Sequence, residues 1–321
     1  MRSIPRLLAL SFALSFAAAG EAPAIGLLLA GSATDQGWNQ LAKEGLDAVA
    51  KRSGARVAML QKVAQDKAGD ELRAFAADGC ALVIAHGYEF LTPAAEAAKG
   101  AKCKYAVSGA DVAKPGIATL DFDLSQASYQ VGLIAGRLTT TGKLGYLGGA
   151  PFPSVQACLR GFTAGAKAAN PKVEVVSAYT SWDDREKNKA QAEAFIGQGV
   201  DVLYPNVDAA ATGVLEAVVA ANAKRTTGKV LAFGCVGDRN GGEAGAFVPA
   251  SAVIAFEAAF QRLADETAKG TFKEGVRREG LASGTCVLRW NPAFVIAPAI
   301  KAEVDAAAAP LIAGTIAIPA Q

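Results

Sequence analysis

"AFAADGCALVIAHG" (residues 74–87) and "AFIGQGVDVLYPN" (residues 194–206) follow one plan. Each opens on the last turn of a helical pattern, passes through a glycine and runs into a short, continuous apolar stretch. The residues before them match as well: "GARVAMLQ" (54–61) precedes the first and "NPKVEVVSAY" (170–179) the second. The shared order is strand, charged loop, helix, glycine, buried strand. Gly79 and Gly199 hold the same place, where a helix stops and a strand begins. Strands that are apolar throughout, rather than alternating, are covered on both faces, as in parallel sheets flanked by helices. The duplication predicts two related α/β lobes rather than one long sheet.

Working outward, the strand candidates of the first lobe are 24–30, 56–60, 81–86, 103–107 and 117–122. Those of the second are 143–148, 173–179, 200–204 and 229–234. The segment 123–140 reads as the helix that opens the second lobe. Lobe one is expected to comprise 23–124 plus 245–285, and lobe two 125–244 plus 286–321, with hinges near 122–126, 241–246 and 284–290. In open parallel sheets the ligand lies beyond the carboxyl ends of the strands. Two such lobes facing each other enclose a cleft.

The first residues carry a different message. Arg2 and Arg6 precede the apolar run Leu7–Ala19, and small residues follow it. This is the layout of a secretory signal peptide, cut after Ala19 or Ala22. The run is shorter than the ~20 residues of a spanning helix. The chain is therefore expected in the periplasm, without direct insertion in the membrane. The remaining length suits two lobes of ordinary size. Basic residues number 32 and acidic residues 30, so no charge imbalance points to nucleic acid or anionic lipid. No heptad or large apolar strip suggests an oligomer, and a monomer is expected.

Enzyme signatures are missing. There is no G-x-S-x-G elbow, H-E-x-x-H pair or P-loop, and the glycines of "GKLGYLGGAP" (142–151) are not spaced for a dinucleotide. His86, the only histidine, has no paired Ser or Cys nucleophile, so a hydrogen-bonded or ligand-contacting role suits it better than catalysis. No metal or cofactor is expected, because the zinc-type spacings of Cys and His are absent. Asp183 and Asp184 stand just before a helical pattern, where acidic groups favour the N-terminus. Of the five cysteines, Cys80 and Cys103 begin successive strands and are expected to form a disulfide. Cys158 falls on a helix among Val155, Leu159 and Phe162 and is expected as a buried thiol. Cys235 and Cys286 stay unassigned.

Four stretches carry a resemblance: "DQGWNQLAKEGL" (35–46), "SYQVGLIAG" (128–136), "KLGYLGGAPFPSVQACLRGFTAGAKAANP" (143–171) and "SWDDREKNKAQAEAFIGQGVDVLYPN" (181–206). Together they resemble the basic membrane protein (BMP) family of ABC-transporter substrate-binding proteins. The resemblance implies a two-lobed type I periplasmic-binding fold with three crossovers. It also implies a purine nucleoside or base as ligand and a membrane ABC permease as partner. The family's aromatic and Asn in the first loop fall on Trp38 and Asn39, next to Asp35. Its aromatic and acid after lobe two's second strand fall on Trp182 and Asp183. Tyr204 and Asp208 stand near the next cleft loop, and Asp238 where the family holds a ribose. Asp111 and Tyr88 complete the wall in lobe one. The Lys many members carry is absent from "AFVPASAV" (246–253), which leaves a free base or another small heterocycle open. A sugar-binding protein and a secreted α/β enzyme are the competing readings.

Overall fold

The computed structural model describes residues 24–320, and the signal-peptide reading of residues 1–22 lies outside them. Strand β1 (Ala24–Leu29), helix α1 (Trp38–Ser53), β2 (Val57–Leu60), α2 (Gln65–Ala77), β3 (Cys80–His86), α3 (Leu91–Ala97), β4 (Lys104–Ser108) and β5 (Ile117–Phe122) alternate through the first lobe. The second continues with α4 (Ser125–Leu138), β6 (Lys143–Gly148), α5 (Pro153–Ala169), β7 (Glu174–Tyr179), α6 (Arg185–Gly197), β8 (Val202–Asn206) and α7 (Ala211–Ala223). Then come β9 (Leu231–Ala232), β10 (Gly234–Val236), β11 (Ala250–Ile254), α8 (Phe256–Ala268), β12 (Gly275–Glu279), β13 (Cys286–Trp290) and α9 (Pro298–Ile312).

Lobe one is a six-stranded sheet ordered β2-β1-β3-β4-β5-β12, every pair parallel. Lobe two has a parallel sheet ordered β7-β6-β8-β9 and a smaller one ordered β10-β11-β13. In the smaller sheet β13 runs antiparallel to β11. Only Phe233 separates β9 from β10, so residues 231–236 carry the chain from one sheet into the other. The repeated glycines act as expected: Gly79 and Gly199 sit at φ +86° and +91°, a conformation costly for any other residue. Both lobes bury unbroken apolar strands; Leu27–Leu29, Val83–Ala85 and Val202–Tyr204 are wholly inaccessible. Helices α4 and α5 press backbone to backbone. A Cβ on Gly165 would lie 2.0 Å from the Tyr129 carbonyl oxygen.

The chain passes between lobes at Asp123–Leu124, at Ala255 and at Gly280–Thr285. The second passage corrects the boundary expected at 244/245. Strand β11 pairs with β10 and β13, so residues 245–254 belong to lobe two, and the chain returns to lobe one with α8, which packs on α1, and β12, which pairs with β5. The three passages lie side by side. The Asp123 amide donates to Glu279 O (2.9 Å) and the Ala255 amide to Thr285 O (2.7 Å). Buried Glu279 accepts a hydrogen bond from Thr285 Oγ1 (2.7 Å) and pairs with Arg262.

A second correction concerns the cysteines: all five are free thiols. Cys80 begins β3 and Cys103 packs against the same apolar cluster from just before β4, yet both sulfurs remain thiols. Cys158 is a buried thiol on α5.

Candidate functional site

The loop after β1 builds the first wall. Asp35 is the N-terminal clasp of α1: its Oδ1 accepts the amides of Gly37 (2.9 Å) and Gln40 (2.9 Å), and its Oδ2 accepts the Asn39 amide (3.0 Å) and Nδ2 (2.8 Å). Asn39 is buried, and its Oδ1 accepts the Gly31 amide (3.1 Å). The polar atoms of both residues thus hold the loop. Because Asp35 caps the helix, the first helical position is free for Trp38.

Trp38 is half-buried in an aromatic nest. Its ring stacks on His86, centroids 4.2 Å apart at 24°, and meets the rings of Phe122 and Phe256 edge-on at 5.9 and 5.1 Å. His86 fixes this pose from the end of β3. A carbonyl only accepts, so Nε2 donates to Trp38 O (3.1 Å) and Nδ1 accepts from Ser108 Oγ (2.8 Å). That is the neutral ring. Burial lowers its pKa to about 3, outweighing the Trp38 carbonyl and Asp35, which act the other way. Phe256 belongs to α8, so the nest needs the return passage.

Lobe two meets this wall through the loop after β8. Asp208 Oδ1 accepts the Trp38 amide at 3.2 Å. The approach is so close that a Cβ on Gly37 would lie 2.1 Å from that oxygen. Burial and the charge of Asp35 raise the Asp208 carboxyl to about 6, with Asp183 adding to the rise; the Trp38 amide and Arg239 oppose it. Arg239, in the loop after β10, adds a second bridge by donating through Nη2 to Gln36 O (2.8 Å). Its Nε is buried without a protein partner.

The other candidates separate. Trp182 is half-buried after β7; its carbonyl accepts the amides of Asp208 and Ala210, both at 3.1 Å. Asp183, Tyr88 and Asp111 are exposed at strand ends. Asp184 is the N-cap of α6, accepting the Lys187 amide at 2.9 Å. Asp238 is exposed and accepts the Asn240 amide (2.9 Å). With Gln36, Gln40, Leu41, Glu44, Gly237 and Arg239 it lines an interlobe hollow of about 310 Å³. Tyr204 is a correction. It is wholly buried, its hydroxyl paired with Ser128 Oγ (2.9 Å) and its ring against Phe162 and Tyr146, so it covers nothing in the cleft. A tyrosine inside the apolar run 200–204 carried that signal. Two residues not singled out by the sequence reading, though they lie in the loops after β6 and β10, also stand here, Arg239 and Phe152; the ring of Phe152 stacks on Trp182 at 5.9 Å and 28°. Among the described residues no group of three or more His, Cys, Asp or Glu is placed to hold a metal. No helix among them is long and apolar enough to cross a membrane.

Residues 22–279 match the family model described as ABC transporter substrate-binding protein PnrA-like. The chain belongs to this family. It is 25% identical over 309 residues to the ABC transporter nucleoside-binding protein BmpA of Lactococcus lactis subsp. cremoris, covering 91% of this chain and 87% of that protein. Against basic membrane protein A of Borreliella afzelii it is 25% identical over 200 residues, 60% of this chain, and spans 61% of that relative's length. Among solved structures, an ABC transporter solute-binding protein from Conexibacter woesei DSM 14684 superposes with a TM-score of 0.78. The two share 26% identity, covering 93% of this chain and 99% of that one. The PnrA-like family is one of binding proteins, not enzymes, and the two-lobed type I periplasmic-binding architecture agrees with the sheets described above.

Proposed function

We propose that this chain is the periplasmic binding component of an ABC importer, closing around a purine nucleoside or base and presenting it to a membrane permease. The observation that carries the reading is the Trp38 wall. A purine is flat and apolar on its faces and hydrogen-bonding at its edges. Trp38 offers a ring stacked on His86, and Asp208, bonded to the Trp38 amide, offers a carboxylate acceptor for ring N–H groups. The relative from L. lactis is named nucleoside-binding, which favours the same ligand class. The polar hollow beside Asp238, with Glu44, Gln36 and Gln40, suits the hydroxyls of an attached ribose and favours a nucleoside over a bare base.

A ligand that binds only the folded chain raises its melting temperature by mass action. Adenosine, guanosine, inosine, adenine and hypoxanthine are the probes, read by thermal shift and calorimetry. At least one is expected to raise Tm by several degrees; if all leave it unmoved at millimolar concentration, the purine assignment fails. The exported protein is expected to begin at Gly20 or Pro23, which N-terminal sequencing checks.

A further inference from the structure

We infer that Phe152 is the surface of lobe two on which the ligand's ring lies, with Trp182 as its backing; the inference rests on the purine reading above. Sheet order locates the place. In lobe two the chain leaves β6 to one side for β7, then returns across β6 to β8. In lobe one it leaves β1 for β2 and returns to β3. In open parallel sheets the ligand crevice opens beyond the carboxyl ends at this reversal of strand order. Lobe one puts Trp38 and His86 there. Lobe two puts the loops 149–152, after β6, and 207–210, after β8, and Phe152 is the one aromatic side chain in either.

Phe152 is built to stand open. It is 57% exposed at the N-cap of α5, yet its ring is stacked on Trp182. Trp182 is fixed in turn: its carbonyl holds the amides of Asp208 and Ala210, and its indole fills the space beside Gly149, where a Cβ would come within 2.2 Å of the ring. Single exposed aromatics are common on protein surfaces. This one is distinguished by a rigid backing at the strand-order reversal and by its contacts toward Trp38. Phe152 touches Trp182, Trp182 bonds to Asp208, and Asp208 bonds to the Trp38 amide. The neighbouring alternative, Tyr204, is sealed in the core.

The test titrates wild type, Phe152→Ala, Phe152→Leu and Phe152→Tyr with the same purine nucleosides and bases by calorimetry. Each unliganded Tm is measured alongside. A stacked aromatic gives Phe152→Ala a loss of roughly ten- to a hundredfold in affinity for the best wild-type purine. Phe152→Leu, which restores apolar bulk but not a flat ring, recovers only part of it, and Phe152→Tyr binds nearly as wild type. The unliganded Tm values coincide. If wild type binds a purine and Phe152→Ala binds it equally well, the inference is wrong while the purine reading stands. If Phe152→Ala lowers Tm and Phe152→Leu restores both Tm and affinity, Phe152 is a packing residue and the inference again fails. If wild type binds no purine, the underlying reading falls and this inference falls with it.

Discussion

His86 bonds to the carbonyl of Trp38 and Asp208 to its amide, and the two respond to acid in opposite senses. His86 has its pKa lowered to about 3 in the fold, against about 6.5 in an unfolded chain. Between these values the unfolded chain binds the extra proton, so stability is lost as pH falls through the window, by about 2 kcal/mol at pH 5. Asp208 has its carboxyl raised to about 6, above the model-peptide value near 3.9. Its buried charge weakens the fold above that pH, and protonation relieves the cost as pH falls toward 4. The two effects offset each other, so the wild-type Tm is expected to fall only modestly between pH 7 and pH 5. Asp208→Asn keeps an acceptor for the Trp38 amide and removes the charge. Its Tm at pH 7 is expected to match or exceed wild type, and its fall toward pH 5 to be steeper. A thermal-shift series over that range checks both; equal slopes would mean that Asp208 does not titrate in this window.

Helix α1 begins where it does because Asp35 gathers three amides and the Asn39 side chain. Removing a capping carboxylate costs about 0.5–2 kcal/mol. Asp35→Ala is expected toward the upper end, since it also leaves buried Asn39 short of an acceptor, and Tm should drop by several degrees. Asp35→Asn should keep part of the cap and lie between. Nine of the strands were legible as short apolar runs placed between helical patterns; most are buried parallel strands, while β2 and β7 are largely exposed and were legible from their matching places in the repeat. The others were not, and the reason differs by element. Strand β12 is an edge strand reading "GVRRE" with Arg277 and Arg278 in it, so its pairing with β5 leaves no apolar signature. Strand β13, "CVLRW", pairs antiparallel in a small sheet that the βα rhythm does not announce. Within the site, Trp38 could be read because an aromatic in a polar turn is conspicuous. The caps Asp35 and Asn39 could equally have served a ligand, and only their hydrogen bonds decide. Phe152 was hidden by its neighbours, because "APFPS" reads as an ordinary helix start. Tyr204 was misjudged because a strand's end and its last buried turn look alike in one dimension.

At the scale of the molecule, the lobes are joined by direct bonds as well as by the three chain passages. Asp208 reaches the Trp38 amide and Arg239 the Gln36 carbonyl. Gly37 makes room for the first, since a Cβ there would lie 2.5 Å from Asp208 Cβ. Gly37→Ala is therefore expected to hold the lobes apart: small-angle scattering should give a larger radius of gyration, with helix content by circular dichroism unchanged. A scattering curve that overlays wild type would show that Asp208 simply moves aside. The nest around Trp38 has one more consequence, and it concerns time rather than shape. Its Phe256 wall arrives roughly 220 residues after Trp38 along the chain, on the helix that follows the second passage. Strand β12, which completes the same sheet beside β5, arrives later still. Contacts so distant in sequence form slowly, because a long loop must close before they are rewarded. A nascent chain can lay down β1 to β5 early, yet its Trp38 stays without that wall until nearly the whole polypeptide has been made. The aromatic nest around Trp38 is thus one of the last parts of the protein to mature.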